Sequence, residues 1–334
     1  IESKQAPRER SVVSRAVSVY RAVRARGHKN GDREAMLAFM AVLNVAWTHQ
    51  DKKTSFTNHW LEAAEAGDAA QSLLGSIGID MVVEQLLRPD MTNNKPPSIP
   101  LMLRHASGRI FQEAHYLALA PIQTDLFFDG QVKVAGPASK ALGAFFTPTP
   151  LVRTLAEQSL NRVDLKSKRI HVFDPACGSG EFLREAVRQL ALRGYKGQVK
   201  VTGYDISPPA CLMARFGLAA EAATFGGSLT INIEHRDALD GQEWVSGVDV
   251  CLMNPPFVAW VDMTASQRET VSRVLGETHV KRPDMASAFV RLAVGSLSQS
   301  AVIGAVLPAS FLDGNSSARL REFLLQGTTV ELSA

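Results

Sequence analysis

The sequence predicts an α/β fold, a mostly parallel sheet with helices on both faces, preceded by an all-helical N-terminal domain. Two observations predict it. Through the first 120 residues, apolar side chains recur at the three- and four-residue spacing of helices. From about residue 141, short β-type runs alternate with helical patterns, which is how a parallel sheet covered on both faces is built. This divides the chain into a helical domain over 1–120, an irregular linker over 121–140 with Gly130, Gly136 and Pro137, and a sheet domain over 141–334.

In the helical domain, Val12, Val13, Ala16, Val19, Tyr20 and Val23 mark one amphipathic helix. Ala35–Trp47, the longest apolar run, is broken by Asn44 and reads as a buried helix capped by Asp32. Trp60–Leu74 has a similar pattern. A loop rich in Pro, Asn and Lys covers Arg88–Pro100, and a further helix is expected over Ile99–His115. In the sheet domain, six β-type runs are expected: Arg169–Phe173, Val199–Tyr204, Leu229–His235, Val248–Met253, Ala301–Leu307 and Thr328–Leu332. Thr149-Pro150 and Ser207-Pro208 each read as an N-cap followed by a proline, and Asp284 and Asn315 as caps of later helices.

Bulk properties bound the function. At 334 residues, 46% hydrophobic and 21% charged, the chain has room for two ordinary globular domains. The net charge of +3 does not point to nucleic acid, but its distribution is uneven. Lys4, Arg8, Arg10, Arg15, Arg21, Arg24, Arg26, Lys29 and Arg33 face only Glu2, Glu9 and Asp32 in that stretch. Such a face is either simply solvated or meets phosphates. Cys177, Cys211 and Cys251 are too far apart for a disulfide framework or a zinc site, and no histidine pair has metal-ligand spacing. No apolar run is long enough to span a bilayer and no signal peptide is visible, so a cytoplasmic chain away from the membrane is expected. Starting at Ile1, it reads as a fragment or a processed chain.

Ligands of parallel sheets bind at the carboxyl ends of strands. The first run ends in Asp174-Pro175-Ala176-Cys177-Gly178-Ser179-Gly180. Its glycines let backbone approach a ligand, and Asp174 could accept hydrogen bonds from a ligand ammonium. It is neither a dinucleotide fingerprint nor a phosphate loop. After the second run, Asp205 suits a ribose diol. After the third, Asp237 could accept from an adenine amino group. Each also suits a tight turn or a helix cap; three acids after three successive strands suit one adenosyl cofactor. The fourth run ends in Asn254-Pro255-Pro256-Phe257. The prolines lock the backbone. The Asn254 side-chain oxygen and the Pro255 carbonyl could then accept both hydrogens of one amino group, with Phe257 stacking on a flipped base.

These strings resemble the amino-methyltransferase branch of S-adenosylmethionine enzymes, and most of all the DNA adenine methylases of type I and type II restriction-modification systems and related phage-defence methylases. The resemblance covers about residues 141–330. It takes in Gly143–Pro148, a segment ending in Thr-Pro that in the family helps hold the methionine part of the cofactor, and also Asp284–Leu297 and Val306–Leu312. It implies a Rossmann-like methyltransferase fold with S-adenosyl-L-methionine as cofactor and no metal. The cofactor contacts it implies are Phe146, Thr147, Pro148, Asp174, Pro175, Ala176, Gly178, Gly180, Phe182, Asp205, Ile206, Asp237, Ala238 and Asn254. The catalytic loop it implies is Asn254, Pro255, Pro256 and Phe257, acting on the N6 amino group of an adenine flipped from double-stranded DNA. Phe257 stands where tyrosine is common, and stacking needs no hydroxyl. Such enzymes continue past the sixth strand into a second stacking aromatic, a last strand and a target-recognition domain. A domain truncated at its C-terminal end is therefore expected, with a missing recognition domain or a specificity subunit as partner.

Protein-glutamine methyltransferases share the Asn-Pro-Pro loop and an N-terminal helical domain. Against that reading stand Phe145-Phe146-Thr147-Pro148 and Asp174–Gly180, worded as in DNA enzymes. An RNA base amine is another possible target. A catalytically idle DNA-binding or assembly module is the reading from a different class, and the intact set Asp174, Asp205, Asp237, Asn254 and Phe257 argues against it.

Overall fold

A computed structural model describes residues 5–26, 32–50, 75, 78–89, 96–99, 102 and 147–331. The expected helix over Trp60–Leu74, most of that over Ile99–His115, the linker over 121–140 and Phe146 lie outside the described residues. The chain divides into two compact units.

One unit takes in residues 1–121, 178–180 and 207–224. Its described helices are α1 (Gln5–Arg26), α2 (Asp32–Gln50) and α3 (Ile79–Leu87), and it also holds α6 (Pro208–Ala222). Ala16, Val19, Tyr20 and Val23 of α1 are buried at the spacing of one helix face. Helix α2 is buried all round from Ala35 to Leu43, as a helix apolar on every side must be. Tyr20 meets Phe39 edge-on, with ring centroids 5.6 Å apart. Leu212, Met213, Phe216 and Ala220 of α6 belong to the same core as Met36, Met40, Leu43 and Leu86. Although α6 falls inside the sheet region of the sequence, its apolar face is spent on this helical core.

The second unit takes in residues 122–177, 181–206 and 225–334. It holds α4 (Thr149–Leu160), β1 (Arg169–Asp174), α5 (Glu181–Leu192), β2 (Gln198–Asp205), β3 (Ser228–His235), β4 (Val250–Met253), α7 (Ala265–Leu275), α8 (Met285–Ser296), β5 (Val302–Ala305) and α9 (Ala318–Gly327). The strands form a sheet in the order β3-β2-β1-β4-β5, with every pairing parallel. Side chains alternate between its faces. Phe173, Cys251 and Met253 enter a core with Val271, Leu275, Phe289 and Leu320 from α7, α8 and α9. On the other face, a Cβ added at Gly304 would meet Leu252 and, from α4, Leu155 and Ser159. The predicted parallel sheet with helices on both faces is thus present.

Two local expectations need correction. The sixth run is not a strand: α9 extends to Gly327, and the described residues Thr328–Glu331 are exposed and join no ladder. Thr328 has strand dihedrals (φ −142, ψ 157), but β-branched residues make a strand only beside a partner. The caps also shift. Pro148, not Thr149, is the N-cap of α4, and Ser317, not Asn315, is that of α9, because Asn315–Ser317 forms a separate 3-10 turn. Asp284 caps α8 as expected, its carboxylate accepting from the Ser287 N–H at 2.9 Å.

Candidate active site

The strand order reverses at β1: β2 and β3 lie to one side, β4 and β5 to the other. The carboxyl ends of β1 and β4 therefore flank a topological switch point, where sheets of this kind bind ligands. Asp174 is the last residue of β1 and Asn254 follows the last residue of β4.

Asp174 is 1% exposed. Its Oδ1 accepts from the Ala176 N–H at 3.0 Å, which turns the chain sharply at the strand end. Burial pushes its carboxyl up to about 8; the Ala176 hydrogen bond opposes this, and the negative charge of Asp205 adds to it. The thiol of buried Cys251 is in turn pushed well up, by burial first and by Asp174 second.

Gly203 makes room for the loop that follows Asp174. It lies opposite Asp174 in the β1–β2 register, and a Cβ there would stand 2.8 Å from Cys177 Sγ and 2.9 Å from Ile233 Cδ1. The Cys177 N–H donates to the Tyr204 carbonyl at 2.9 Å, fastening the loop to β2. Pro175 is buried and Ala176 partly buried. Further along, Gly178 (φ +53) and Gly180 (φ +80) adopt left-handed backbone, which glycine supplies without strain. Phe182, in the first turn of α5, is buried.

Asp205 ends β2, and its carbonyl accepts from the Arg236 N–H at 2.9 Å. Beside it Ile206 is 64% exposed, an apolar side chain left at the strand edge. Asp237 follows β3; its Oδ1 accepts from the Leu239 N–H at 2.9 Å and its side chain is exposed. Ala238 is buried, its carbonyl held by the Trp244 indole N–H at 2.8 Å. Arg236 is turned aside, paired with Asp240 and lying over the Tyr204 ring.

Asn254 donates its side-chain Nδ2 to Thr147 Oγ1 at 2.7 Å. Thr147 is 8% exposed, so this bond is shielded from water. With Nδ2 engaged, the amide oxygen is the group Asn254 turns away from Thr147. Pro255 is buried, while Pro256, Phe257 and Pro148 keep some or all of their surface open. The family resemblance gives Thr147 a place beside the cofactor; its bond to Asn254 crosses 107 residues and has no local signal. Sequence reasoning also passed over Gly203, for which a lone glycine in a β run was the available sign.

The fold is that of the class I methyltransferases. A solved structure described as a class I S-adenosylmethionine-dependent methyltransferase from Listeria monocytogenes matches with a TM-score of 0.53 at 16% identity, covering 88% of this chain and 79% of that one. A type I modification subunit from Vibrio vulnificus matches with a TM-score of 0.50 at 16% identity, covering 94% and 75%.

Residues 132–332 match the N-6 DNA methylase family, and the chain belongs to it. It is 25% identical over 199 residues to the type II methyltransferase M.BanIII of Aneurinibacillus aneurinilyticus, covering 56% of this chain and 34% of that enzyme. It is 30% identical over 139 residues to the methylase subunit of the type I restriction enzyme MpnII of Mycoplasma pneumoniae, covering 37% and 23%. The chain thus spans well under half the length of these curated relatives. Among the described residues, no helix is long and apolar enough to cross a membrane.

Proposed function

We propose that this chain transfers a methyl group from S-adenosyl-L-methionine to the N6 amino group of an adenine flipped out of double-stranded DNA, as the modification activity of a restriction-modification or related defence system. The observation that carries the reading is the Asn254-Pro255-Pro256-Phe257 loop at the end of β4, with the Asn254 amide oriented by Thr147. Family membership and the relatives' restriction-modification roles support the choice of DNA.

The residues fit the cofactor. Asp174, buried and pushed up to about 8, has the character of a partner for an ammonium. Asp205 and exposed Ile206 suit a ribose and the ring beside it, and Asp237 with Ala238 the adenine amino edge. Pro175, Ala176, Gly178, Gly180 and Phe182 shape the loop after β1, and Thr147 and Pro148 precede the site. When bound, S-adenosylmethionine supplies a methyl group already activated on a sulfonium.

The chain's own residues act on the acceptor. Adenine's amino lone pair is delocalised into the ring. Acceptors at the Asn254 side-chain oxygen and the Pro255 carbonyl draw both amino hydrogens toward them, which concentrates the lone pair on nitrogen. The same two oxygens stabilise the positive charge that develops on nitrogen as the new N–C bond forms and the S–C bond breaks. Phe257 holds the base by stacking, and the prolines keep the loop in one shape, so positioning is settled before reaction. The amino proton then leaves to water. Efficient action requires a specificity subunit or recognition domain as partner, with the chain at work in the cytoplasm.

The test is methyl transfer from labelled S-adenosylmethionine to duplex DNA, to RNA and to a glutamine peptide in parallel. Label in N6-methyladenine of DNA alone is expected. Label only in the RNA or the peptide would overturn the DNA reading, and no cofactor binding at all would favour an idle module.

A further inference from the structure

Between the loops after β4 and β5 lies a shallow, solvent-open cleft of about 630 Å³ lined by Lys281, Arg282, Asn315 and Ser316. We infer that this cleft grips phosphates of the DNA strand carrying the target base. The inference rests on the DNA reading above and goes beyond it, because none of these four residues belongs to the family's cofactor or catalytic strings.

Position comes first. The Met285 N–H donates to the carbonyl of Val258 at 3.0 Å, and Val258 directly follows Phe257. The segment before α8 is therefore tied to the catalytic loop. Arg282 is three residues before Met285, so their Cα atoms are at most about 11 Å apart. The three acids follow β1, β2 and β3, while the cleft lies on the β4–β5 side of the switch point. A flipped adenine stacked on Phe257 stays attached to its own phosphodiester backbone, because flipping rotates the nucleotide about that backbone.

Chemistry comes second. Lys281 and Arg282 are exposed, and among the described residues neither pairs with a carboxylate. Asn315 and Ser316 add hydrogen-bonding groups opposite them. Cations with amide and hydroxyl donors are the usual grip on phosphate oxygens.

Rigidity comes third. Lys281 has φ +54, the one left-handed backbone among the described non-glycine residues. Such a conformation persists only where the surroundings impose it. Here buried Pro283 restricts Arg282, and Asp284 is fixed as the cap of α8. On the opposite wall, the Arg321 guanidinium donates to the carbonyls of Phe311 and Gly314, both at 2.8 Å, holding the turn that leads into Asn315. The two cations are thus presented by a braced turn.

The experiment uses the full protein and the double variant Lys281→Gly with Arg282→Ala. Glycine takes the left-handed turn without strain, so the charges leave while the fold stays. Binding to a duplex pool is measured across a salt series, with S-adenosylmethionine affinity and thermal transition as controls. Both controls are expected to hold. The slope of log affinity against log salt is expected to become shallower by about 1.8, so the penalty for a fourfold rise in salt shrinks roughly tenfold. The KM for DNA is expected to rise. A wild type that methylates DNA alongside a variant with unchanged slope and KM overturns the cleft and spares the function. A wild type that neither binds nor methylates DNA overturns both.

Discussion

Asn254 and Thr147 are joined by a 2.7 Å hydrogen bond between the end of β4 and the residue two before α4. The bond holds the asparagine amide in one place beside the end of β4. Asn254→Ala is expected to lower the methyl-transfer rate about 10²–10³-fold, the scale for losing one preorganised group that stabilises transition-state charge. Cofactor affinity should change little. Thr147→Val leaves the amide free to rotate and is expected to cost about 1 kcal/mol, or roughly fivefold in rate, with Thr147→Ser restoring most of it. Single-turnover kinetics with equilibrium cofactor titration separate these effects. Equal losses of rate and cofactor affinity in Asn254→Ala would end this division of roles.

Phe257 is half-buried. Phe257→Ala is expected to weaken capture of the flipped base by roughly 1–3 kcal/mol, the worth of one base stacked on an aromatic. Phe257→Tyr should retain activity, because the ring face and not the edge does the stacking. Fluorescence of 2-aminopurine at the target position reports base extrusion. An Ala variant that extrudes the base as well as wild type would show that Phe257 is only a core residue.

Asp174 couples the site to pH. Its carboxyl is pushed up to about 8 by burial, so at neutral pH the free protein holds it largely protonated. A cation beside it favours the carboxylate, so cofactor binding is expected to release a proton. Affinity should then rise with pH, up to about tenfold per unit, and level off above about 8. The sign for stability is the reverse. The folded pKa lies above the unfolded value of 3.8, so the group's stabilising contribution is complete below 3.8 and is lost as pH rises through about 8. Calorimetry in buffers of different ionisation enthalpy counts the proton. Asp174→Asn should release none and should flatten the decline in stability toward alkaline pH. Cofactor affinity that is flat between pH 6 and 8 would contradict the coupling.

The strand-end chemistry was legible because its residue types sit directly after β-type runs: Asp174, Asp205, Asp237 and Asn254 fall at successive strand ends of one parallel sheet. What joins them was not legible. The Thr147–Asn254 bond spans 107 residues and leaves no spacing to read. The left-handed turn at Lys281 is forced by its surroundings, since lysine has no preference for it. The membership of α6 in the helical core depends on which partner its apolar face finds, and periodicity gives the face without naming the partner. Thr328–Glu331 shows the same limit from the other side: β propensity without a neighbouring strand yields no ladder.

Gly203 makes room for Cys177 and Ile233 by having no side chain. A methyl group there would come within 2.8–2.9 Å of Cys177 Sγ and Cβ and of Ile233 Cδ1, all in packed surroundings. Gly203→Ala is expected to destabilise the fold by about 1–3 kcal/mol, the range for overpacking. It should weaken cofactor binding too, since Cys177 leads into the loop after Asp174. Cys177→Ala removes the sulfur but leaves its Cβ close to the added methyl, so the double variant should recover only part of the loss. Urea unfolding of the three variants gives the coupling. A Gly203→Ala protein as stable as wild type would mean that the loop shifts freely.

His171 is a buried histidine whose ionisation opposes folding in acid. It is 2% exposed, in the middle of β1. Its Nδ1 lies 3.2 Å from the Gly247 carbonyl and its Nε2 2.9 Å from Thr202 Oγ1. A carbonyl can only accept, so Nδ1 carries the hydrogen, and Nε2 accepts from the threonine hydroxyl. Both nitrogens are thus satisfied in the neutral ring. Burial, and after it the charge of Lys200, holds the pKa below 6.5. In the unfolded chain the imidazole takes a proton near 6.5, while the folded ring resists it. Over that interval the unfolded state binds more protons, so stability rises with pH and falls as the solution is acidified below about 6.5. His171→Gln can keep one hydrogen bond without titrating. It is expected to be less stable than wild type at pH 7.5, by about 1 kcal/mol for an imperfectly replaced buried bond. The gap should narrow toward pH 5 as the wild type alone pays for its unprotonated ring. Urea denaturation of both proteins at pH 7.5, 6.5 and 5.5 tests this, and a gap that stays constant across the three would show that His171 does not titrate between the folded and unfolded states.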